Sequence, residues 1–309
     1  MAKQIVTEVI RIDPIVPTPM VIERAADLLR QGELVVFPTE TVYGLGADAL
    51  QPVALEGIFV AKGRPFSDPL IVHIAEYAGL EALTSSLPPS AWQLAQAFWP
   101  GPLTLILPRG PRVPYVVTAG METVAVRMPS HPVARALIHA LGSPIAAPSA
   151  NRFMHVSPTT AAHALADLDG RVPLILDGGP CSVGVESTIL DLSAEAPTIL
   201  RPGGVSLEAL RAVLPDTRAF VRRATQPEGQ AQKAPGQLIT HYAPAIPLLL
   251  FDGSAEAMRS AMFKELSKRL ARGEHVGVLV ADEDLQAFQQ SGALVRSLGD
   301  AAQSAQVAA

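Results

Sequence analysis

The residues of this chain best equipped for chemistry are cations and hydroxyls placed where apolar runs end. Lys62, Arg64, Arg127 and Arg201 can converge on a triphosphate, because an arginine offers phosphate oxygens a fork and a lysine a point charge. Thr39, Thr41, Ser149, Ser157, Ser187 and Thr188 can add neutral hydrogen bonds around them. A lone Lys or Arg is ordinarily a solvated surface charge. Arg127 reads the other way, because Val124, Ala125, Val126 and Met128 surround it and a charge inside an apolar strand must be paired or face a cavity. His73, among Leu70, Ile71, Val72 and Ile74, reads first as a satisfied core histidine and second, beside a basic cluster, as a ligand for a carboxylate. Trp92 and Trp99 read as core.

Other chemistries lack their signatures. GLGADA, Gly44 to Ala49, fits G-x-G-x-x-A after an apolar strand, but the dinucleotide fingerprint needs a helix opening on the glycines and an acidic residue about 20 residues later. Here Pro52 intervenes and the corresponding region is the basic KGRP, so Gly44 and Gly46 are expected to shape a turn without cradling a phosphate. There is no Walker A sequence, no G-x-S-x-G and no H-E-x-x-H. The seven histidines show no metal-ligand spacing with a third donor, so no protein-held metal is expected. A single cysteine, Cys181, excludes an intramolecular disulfide framework and suits a reducing cytosol, which predicts a cytoplasmic protein. The net charge of -5 argues against a standing nucleic-acid surface. The start, MAKQIVTEVIRIDP, lacks the apolar core of a signal peptide, and no run approaches the ~18 apolar residues of a membrane span.

The elements that must position these residues alternate between strand and helix periods, which predicts an α/β fold. With 309 residues, 49% hydrophobic and 17% charged, the chain is long enough for two buried cores. Thr18 opens a helix through Leu29 with Gly32 as its stop, and a strand from Glu33 to Phe37 delivers a polar loop, Phe37 to Ala49. Helices follow at Pro52 to Ala61, Pro132 to Leu141, Thr159 to Leu168 and Leu207 to Val213. Strands follow at Leu70 to Ile74, Leu103 to Leu107, Val124 to Met128, Pro144 to Ala147, Val172 to Leu176 and Thr198 to Leu200. From Asp216 to Thr240 the sequence is polar and unpatterned, as in a linker. A second unit reads as a fragment of a parallel α/β layer: strand Pro247 to Phe251, helix Ala255 to Leu270, strand Val276 to Val280 and strand Ala293 to Leu298. The domain boundaries expected are therefore 10–215, a linker at 216–245, and 246–309.

The strings FPTETVYGLGADA, KGRPFSDPLIVHI, WPGPLTLIL, VTAGMETVAVRMPSHP, PIAAPSANRFMHVSPT, DGGPCSVGVESTILDL and ILRPGGV, in this order, resemble the YrdC family. With a linker ending in HYAP, His241 to Pro244, the chain is similar to the family's longer, two-domain L-threonylcarbamoyladenylate synthases. The resemblance covers most of residues 10 to 215 and continues through the linker. It implies a twisted mixed sheet with a large concave cavity, followed by a small Rossmann-like domain. It also implies a nucleotidyltransferase that turns L-threonine, bicarbonate or carbon dioxide, and ATP into threonylcarbamoyl-AMP and pyrophosphate. The product would feed a tRNA threonylcarbamoyl transferase complex acting on the adenosine beside the anticodon. By position, Lys62 and Arg64 stand in a basic KxR motif serving the phosphates and carrying the catalysis, and Ser149 and Asn151 in an SxN motif. Thr39 or Thr41, His73, Arg127 and Ser187 would surround threonine. Thr118, Thr123, Ser157 and Arg201 would help hold ATP, and Mg²⁺ would arrive with the nucleotide and need few protein ligands.

Asp68 stands among the nucleotide residues where the family commonly has Asn, which would place a negative charge near the phosphates unless it faces the metal or an arginine. Ile239 stands where some members place an aromatic, and the chain stops before a further helix and strands of relatives, which predicts a small or incomplete C-terminal domain. Two alternatives use the same residues: a carbamoyl-adenylate former like the domain in hydrogenase maturation factors, and an RNA-binding module on a concave basic surface. Neither a membrane nor tight nucleic-acid binding is expected.

Overall fold

The computed structural model describes residues 5–221, 232–236, 243–244 and 246–302. Ile239, His241 and the stretch from Gln303 onward lie outside them. The chain divides into two compact units, Met1–Ala243 and Pro244–Ala309.

The first unit runs β1 (Glu8–Arg11), α1 (Pro19–Arg30), β2 (Val35–Phe37), β3 (Gly44–Asp48), α2 (Pro52–Lys62), β4 (Ile71–His73), α3 (Tyr77–Leu83), α4 (Pro89–Phe98) and β5 (Leu103–Pro108). It continues through β6 (Thr123–Arg127), α5 (Pro132–Leu141), β7 (Ile145–Ala146), α6 (Ala161–Leu168), β8 (Leu174–Asp177), β9 (Thr188–Asp191), β10 (Thr198–Arg201) and α7 (Leu207–Val213). The strands join in one mixed sheet ordered β1-β8-β2-β3-β7-β4-β6-β5-β9-β10. The polar loop expected at Phe37 to Ala49 is shorter than its sequence suggests. Gly44 and Gly46 belong to β3, antiparallel to β2, and do not form a turn. Their glycine character has a packing cause, since a Cβ at Gly46 would stand 2.7 Å from Phe37 Cε1 and 2.9 Å from Ile145 Cγ2.

Strand residues alternate between the two faces of a sheet, and here the faces are covered differently. One face, carrying Val36, Leu45, Val72, Leu105 and Val126, is packed by residues of α2, α4, α6 and α7. On the other, Val35, Phe37, Ile145 and Leu174 pack under α1 and α5. Both helices are amphipathic; α1 buries Ile22, Ala25, Ala26 and Leu29, and α5 buries Val133, Ala134, Leu137, Ile138 and Leu141. That cover stops near β7. Beyond it His73, Arg127 and Thr104 stand side by side in register across β4, β6 and β5, on the face that holds Ile145. Next to this row lies a small apolar cluster of Ile71, Ala125, Ile106 and Ile189, joined by Ala234, from the stretch read as linker, with Leu200 packed against it. The cavity exists because half of one sheet face lacks a helical layer.

In the second unit α8 (Ala255–Leu270), β11 (Gly277–Val280), α9 (Asp282–Phe288) and β12 (Leu294–Ser297) form a two-stranded parallel sheet under Leu266 and Phe288. The expected strand Pro247 to Phe251 does not form. Leu248 and Leu250 are exposed there, because an apolar run becomes a strand only where a neighbour pairs its backbone.

Candidate active site

After β2 the chain turns on Thr39. Its hydroxyl accepts the N–H groups of Thr41 and Val42, both at 3.2 Å, and donates to the Val42 carbonyl at 2.6 Å. With that proton committed, the Thr41 hydroxyl donates to Thr39 Oγ1 at 2.9 Å. Thr41 Oγ1 in turn accepts from Arg127 Nη1 at 2.9 Å. Arg127 Nε donates to the Gly101 carbonyl at 3.3 Å, and Nη2 lies 2.7 Å from Glu40 Oε1. This buried ion pair settles the charge that the sequence left standing in an apolar strand. Burial works against ionisation of Glu40, yet the charge and hydrogen bonding of Arg127 hold its carboxyl below the ordinary value.

His73 lies beside Arg127 in register, with its ring edge-on to Phe37 at 6.4 Å. Its Nδ1 donates to the Ile71 carbonyl at 3.2 Å, which fixes the tautomer. Burial first, and then the positive charge of Arg127, push its pKa down to about 3, so the ring is neutral.

Lys62 ends α2 just before Gly63, whose φ of 64° turns the chain, and it is fully buried. Its Nζ donates to the carbonyls of Ser149, at 2.5 Å, and of Asn151. Burial, reinforced by neighbouring Arg64, lowers its pKa to about 7. Arg64 donates through Nε to the Asp68 carbonyl at 3.3 Å and through Nη2 to the Pro69 carbonyl at 2.6 Å, and Nη2 lies 3.1 Å from Asp68 Oδ1. Asp68 therefore faces Arg64, which balances its charge.

A third chain of contacts starts from Thr104, whose Oγ1 is 2.8 Å from Ser187 Oγ. Ser187 Oγ also accepts from Arg201 Nη2 at 3.0 Å, and the Ser187 carbonyl accepts from the same group at 2.9 Å. Arg201 Nη2 lies 3.6 Å from Glu186 Oε2, while Ser157 Oγ donates to Glu186 Oε1 at 2.8 Å. A Cβ on Gly203 would meet the Glu186 carbonyl oxygen at 2.2 Å, so only glycine permits this backbone approach.

These groups surround a cavity that is partly open to solvent. Of the residues expected at a site, Thr39, Thr41, Arg64, His73, Ser149, Arg127 and Arg201 line it. Lys62 and Ser187 stand behind the lining on the partners just given. Asn151 is spent on the carbonyls of Arg152 and His155, at 2.7 and 2.8 Å, and Ser157 reaches the cavity through Glu186. Thr118, bonded to the Met121 carbonyl at 2.8 Å, and Thr123, at the start of β6, do not line the cavity.

Glu186, Pro235 and Gly236 line it and were not foreseen. Glu40, between Thr39 and Thr41, carries no signal like that of Arg127, because a carboxylate among hydroxyls looks solvated, and only the fold brings it to Arg127. For Glu186 the signal is a carboxylate entering a strand ahead of Ser187 and Thr188. Pro235 and Gly236 carry none. The Cys181 thiol is pushed up to about 12 by burial and is no nucleophile. Among the described residues no group of three or more His, Cys, Asp or Glu is placed to hold a metal ion.

A family model described as telomere recombination, for Sua5, YciO and YrdC, matches residues 27–203. A second, described as the C-terminal domain of threonylcarbamoyl-AMP synthase, matches residues 205–309. The threonylcarbamoyl-AMP synthase of Bacillus subtilis is 47% identical over 289 residues, which are 93% of this chain and 81% of the relative. That of Pyrococcus abyssi is 46% identical over 255 residues, 82% of this chain and 75% of the relative. Among solved structures, P. abyssi Sua5 complexed with L-threonine aligns with a TM-score of 0.89 at 41% identity, covering 97% of this chain and 86% of that one. E. coli YciO aligns at 0.60 with 25% identity, covering 66% and 99%.

Proposed function

The chain belongs to the Sua5, YciO and YrdC family, and from that membership we propose that it makes threonylcarbamoyl-AMP and pyrophosphate from L-threonine, bicarbonate and ATP, for threonylcarbamoylation of tRNA beside the anticodon. The observation that carries this reading to the cavity is the meeting there of three arginines, Arg64, Arg127 and Arg201, with neutral hydrogen-bonding groups between them. Two anionic substrates and one zwitterion call for such a surface.

Threonine lies at the Arg127 end. The guanidinium, held by Thr41, Gly101 and Glu40, takes the threonine carboxylate, while the Thr39 and Thr41 turn and neutral His73 frame the rest of the molecule. Ser187 works from behind the lining, linking Thr104 to Arg201. ATP lies toward Arg64, Ser149 and Arg201. Lys62 and Arg64 supply charge to the phosphates, with Lys62 fixing the Ser149 to Asn151 loop through its carbonyls. Asp68 orients Arg64, and Ser157 and Asn151 support the nucleotide end; Thr118 ties down the loop before β6 through the Met121 carbonyl, and with Thr123 would reach ATP only from outside the lining.

Attack of the threonine carbamate oxygen on the α-phosphorus forms the phosphoric anhydride and expels pyrophosphate. The protein's part is to align the two anions and neutralise the charge that develops, with no covalent intermediate. The donor set fits a Mg²⁺ ion held chiefly by phosphate oxygens and water, since a single carboxylate, Glu186, lines the cavity among the described residues. Such an ion would neutralise phosphate charge. The product then passes to a tRNA threonylcarbamoyl transferase. No helix among the described residues is long and apolar enough to cross a membrane.

Pyrophosphate release from ATP tests the reading. Release is expected only when threonine and bicarbonate are both present; release with either one omitted at the same rate rejects it.

A further inference from the structure

Carbamate formation leaves a proton to be placed. Threonine arrives as an ammonium, and its nitrogen must lose one proton before its lone pair can attack bicarbonate. The free amine and HCO₃⁻ then give the carbamate and water: an N–C bond forms, a C–O bond of bicarbonate breaks, and the second N–H proton leaves with the hydroxide. The first proton needs an acceptor in the cavity.

Most candidates are already committed. The Thr39 and Thr41 hydroxyls are locked in their turn, and neither is a base. His73 gives its Nδ1 proton to a carbonyl, and a second proton on its ring is opposed by burial and by Arg127. Lys62 donates to two carbonyls from behind the lining, and Glu40 is closely paired with Arg127.

Glu186 differs from all of these. Among the described residues it is the one carboxylate that lines the cavity. Its side chain keeps 17% of its exposure, and its pairing with Arg201, at 3.6 Å, is much looser than the 2.7 Å of Glu40 with Arg127. One oxygen accepts a single hydrogen bond, from Ser157, and a carboxylate oxygen has room for a second. Its carboxylate touches Ser157 and Arg201 of the nucleotide end, while the next residue, Ser187, is bonded to Thr104, which stands opposite Arg127 in the sheet, so Glu186 sits where the two ends of the cavity meet. Arg64, Arg127 and Arg201 also disfavour a further positive charge among them, which weakens the hold of the ammonium on its proton.

We infer that Glu186 is a catalytic residue of the carbamoylation half of the reaction, the base that takes the first proton from the threonine ammonium. This rests on the cavity being the threonine and ATP site. A residue that only braces Ser157 and Arg201 for the nucleotide would act in adenylation instead, and the two halves can be measured apart. Forward turnover, read as pyrophosphate release from threonine, bicarbonate and ATP, needs the proton removed. Reverse adenylation, read as ATP formed from threonylcarbamoyl-AMP and pyrophosphate, does not.

Glu186→Gln is expected to lower the forward kcat by about 100-fold, the lower end of what a general base contributes. Its reverse rate, which needs no proton removed from nitrogen, should fall much less than the forward rate. Glu186→Asp, which keeps a carboxylate, recovers part of the forward rate, and Ser157→Ala lowers both directions alike. An equal fall in both directions for Glu186→Gln, or an unchanged forward rate, overturns the assignment. A wild-type protein inactive in both directions would instead reject the cavity as the site, and Glu186 with it.

Discussion

Lys62 shows how much a single buried charge can report. Its ammonium is held by two carbonyls in a dry setting that brings its pKa to about 7, so above pH 7 the free enzyme carries it largely neutral. A triphosphate arriving nearby favours the charged form and restores the proton. At pH 8 ATP binding is therefore expected to take up about one proton, and ATP affinity to fall as pH rises above about 7. Calorimetry in buffers of different ionisation enthalpy measures this, with Lys62→Met taking up none; equal uptake by that variant would assign the proton to another group. Arg127 was legible in the sequence because it broke the local pattern, and it proves to be ion-paired with Glu40 and to line the cavity. Thr118 and Thr123 obey every local rule. Only their place in the fold separates them from the lining, and no residue type conveys that.

At the scale of elements, helices were the most legible part. α5, α7 and α8 begin and end where their patterns do, because Pro132, the cap residues Ser206 and Ser254, and the C-terminal Gly142 state the boundaries chemically. Strands state less. β3 is Gly-Leu-Gly-Ala-Asp, poor in β-branched residues, and it is a strand because β2 and β7 pair with it on either side. β1, an edge strand with little burial, left no signal. Gly46→Ala would press a methyl onto the Phe37 ring and Ile145, so it is expected to cost about 1–3 kcal/mol in urea unfolding. Because Phe37 lies edge-on to His73, the KM for threonine should rise with it. A fully stable variant would mean that β3 can shift without strain.

For the molecule as a whole, the compositional break after the first sheet was visible, but the work of that stretch was not. A polar sequence without periodicity reads as spacer, yet Ala234 is fully buried on the bare half of the sheet, and Pro235 and Gly236 form a wall of the cavity. The segment is held by the hydrogen bond of Gln232 N to the Ser67 carbonyl, at 3.0 Å, and by Lys233 to Asp191, at 2.6 Å. Lys233→Met should raise the KM for threonine roughly 3- to 10-fold, as expected from losing about 1 kcal/mol in a partly exposed pair. The thermal midpoint of the sheet should move little; an unchanged KM would show that the wall stays seated without the pair.

That wall also guards an intermediate. A carbamate exposed to bulk water reverts to amine and carbon dioxide, whereas an anhydride with the α-phosphate is trapped. Ala234 seated on the sheet and Pro235 and Gly236 in the lining close that side of the cavity, so a stretch without periodicity is what keeps bulk water from the carbamate until adenylation traps it.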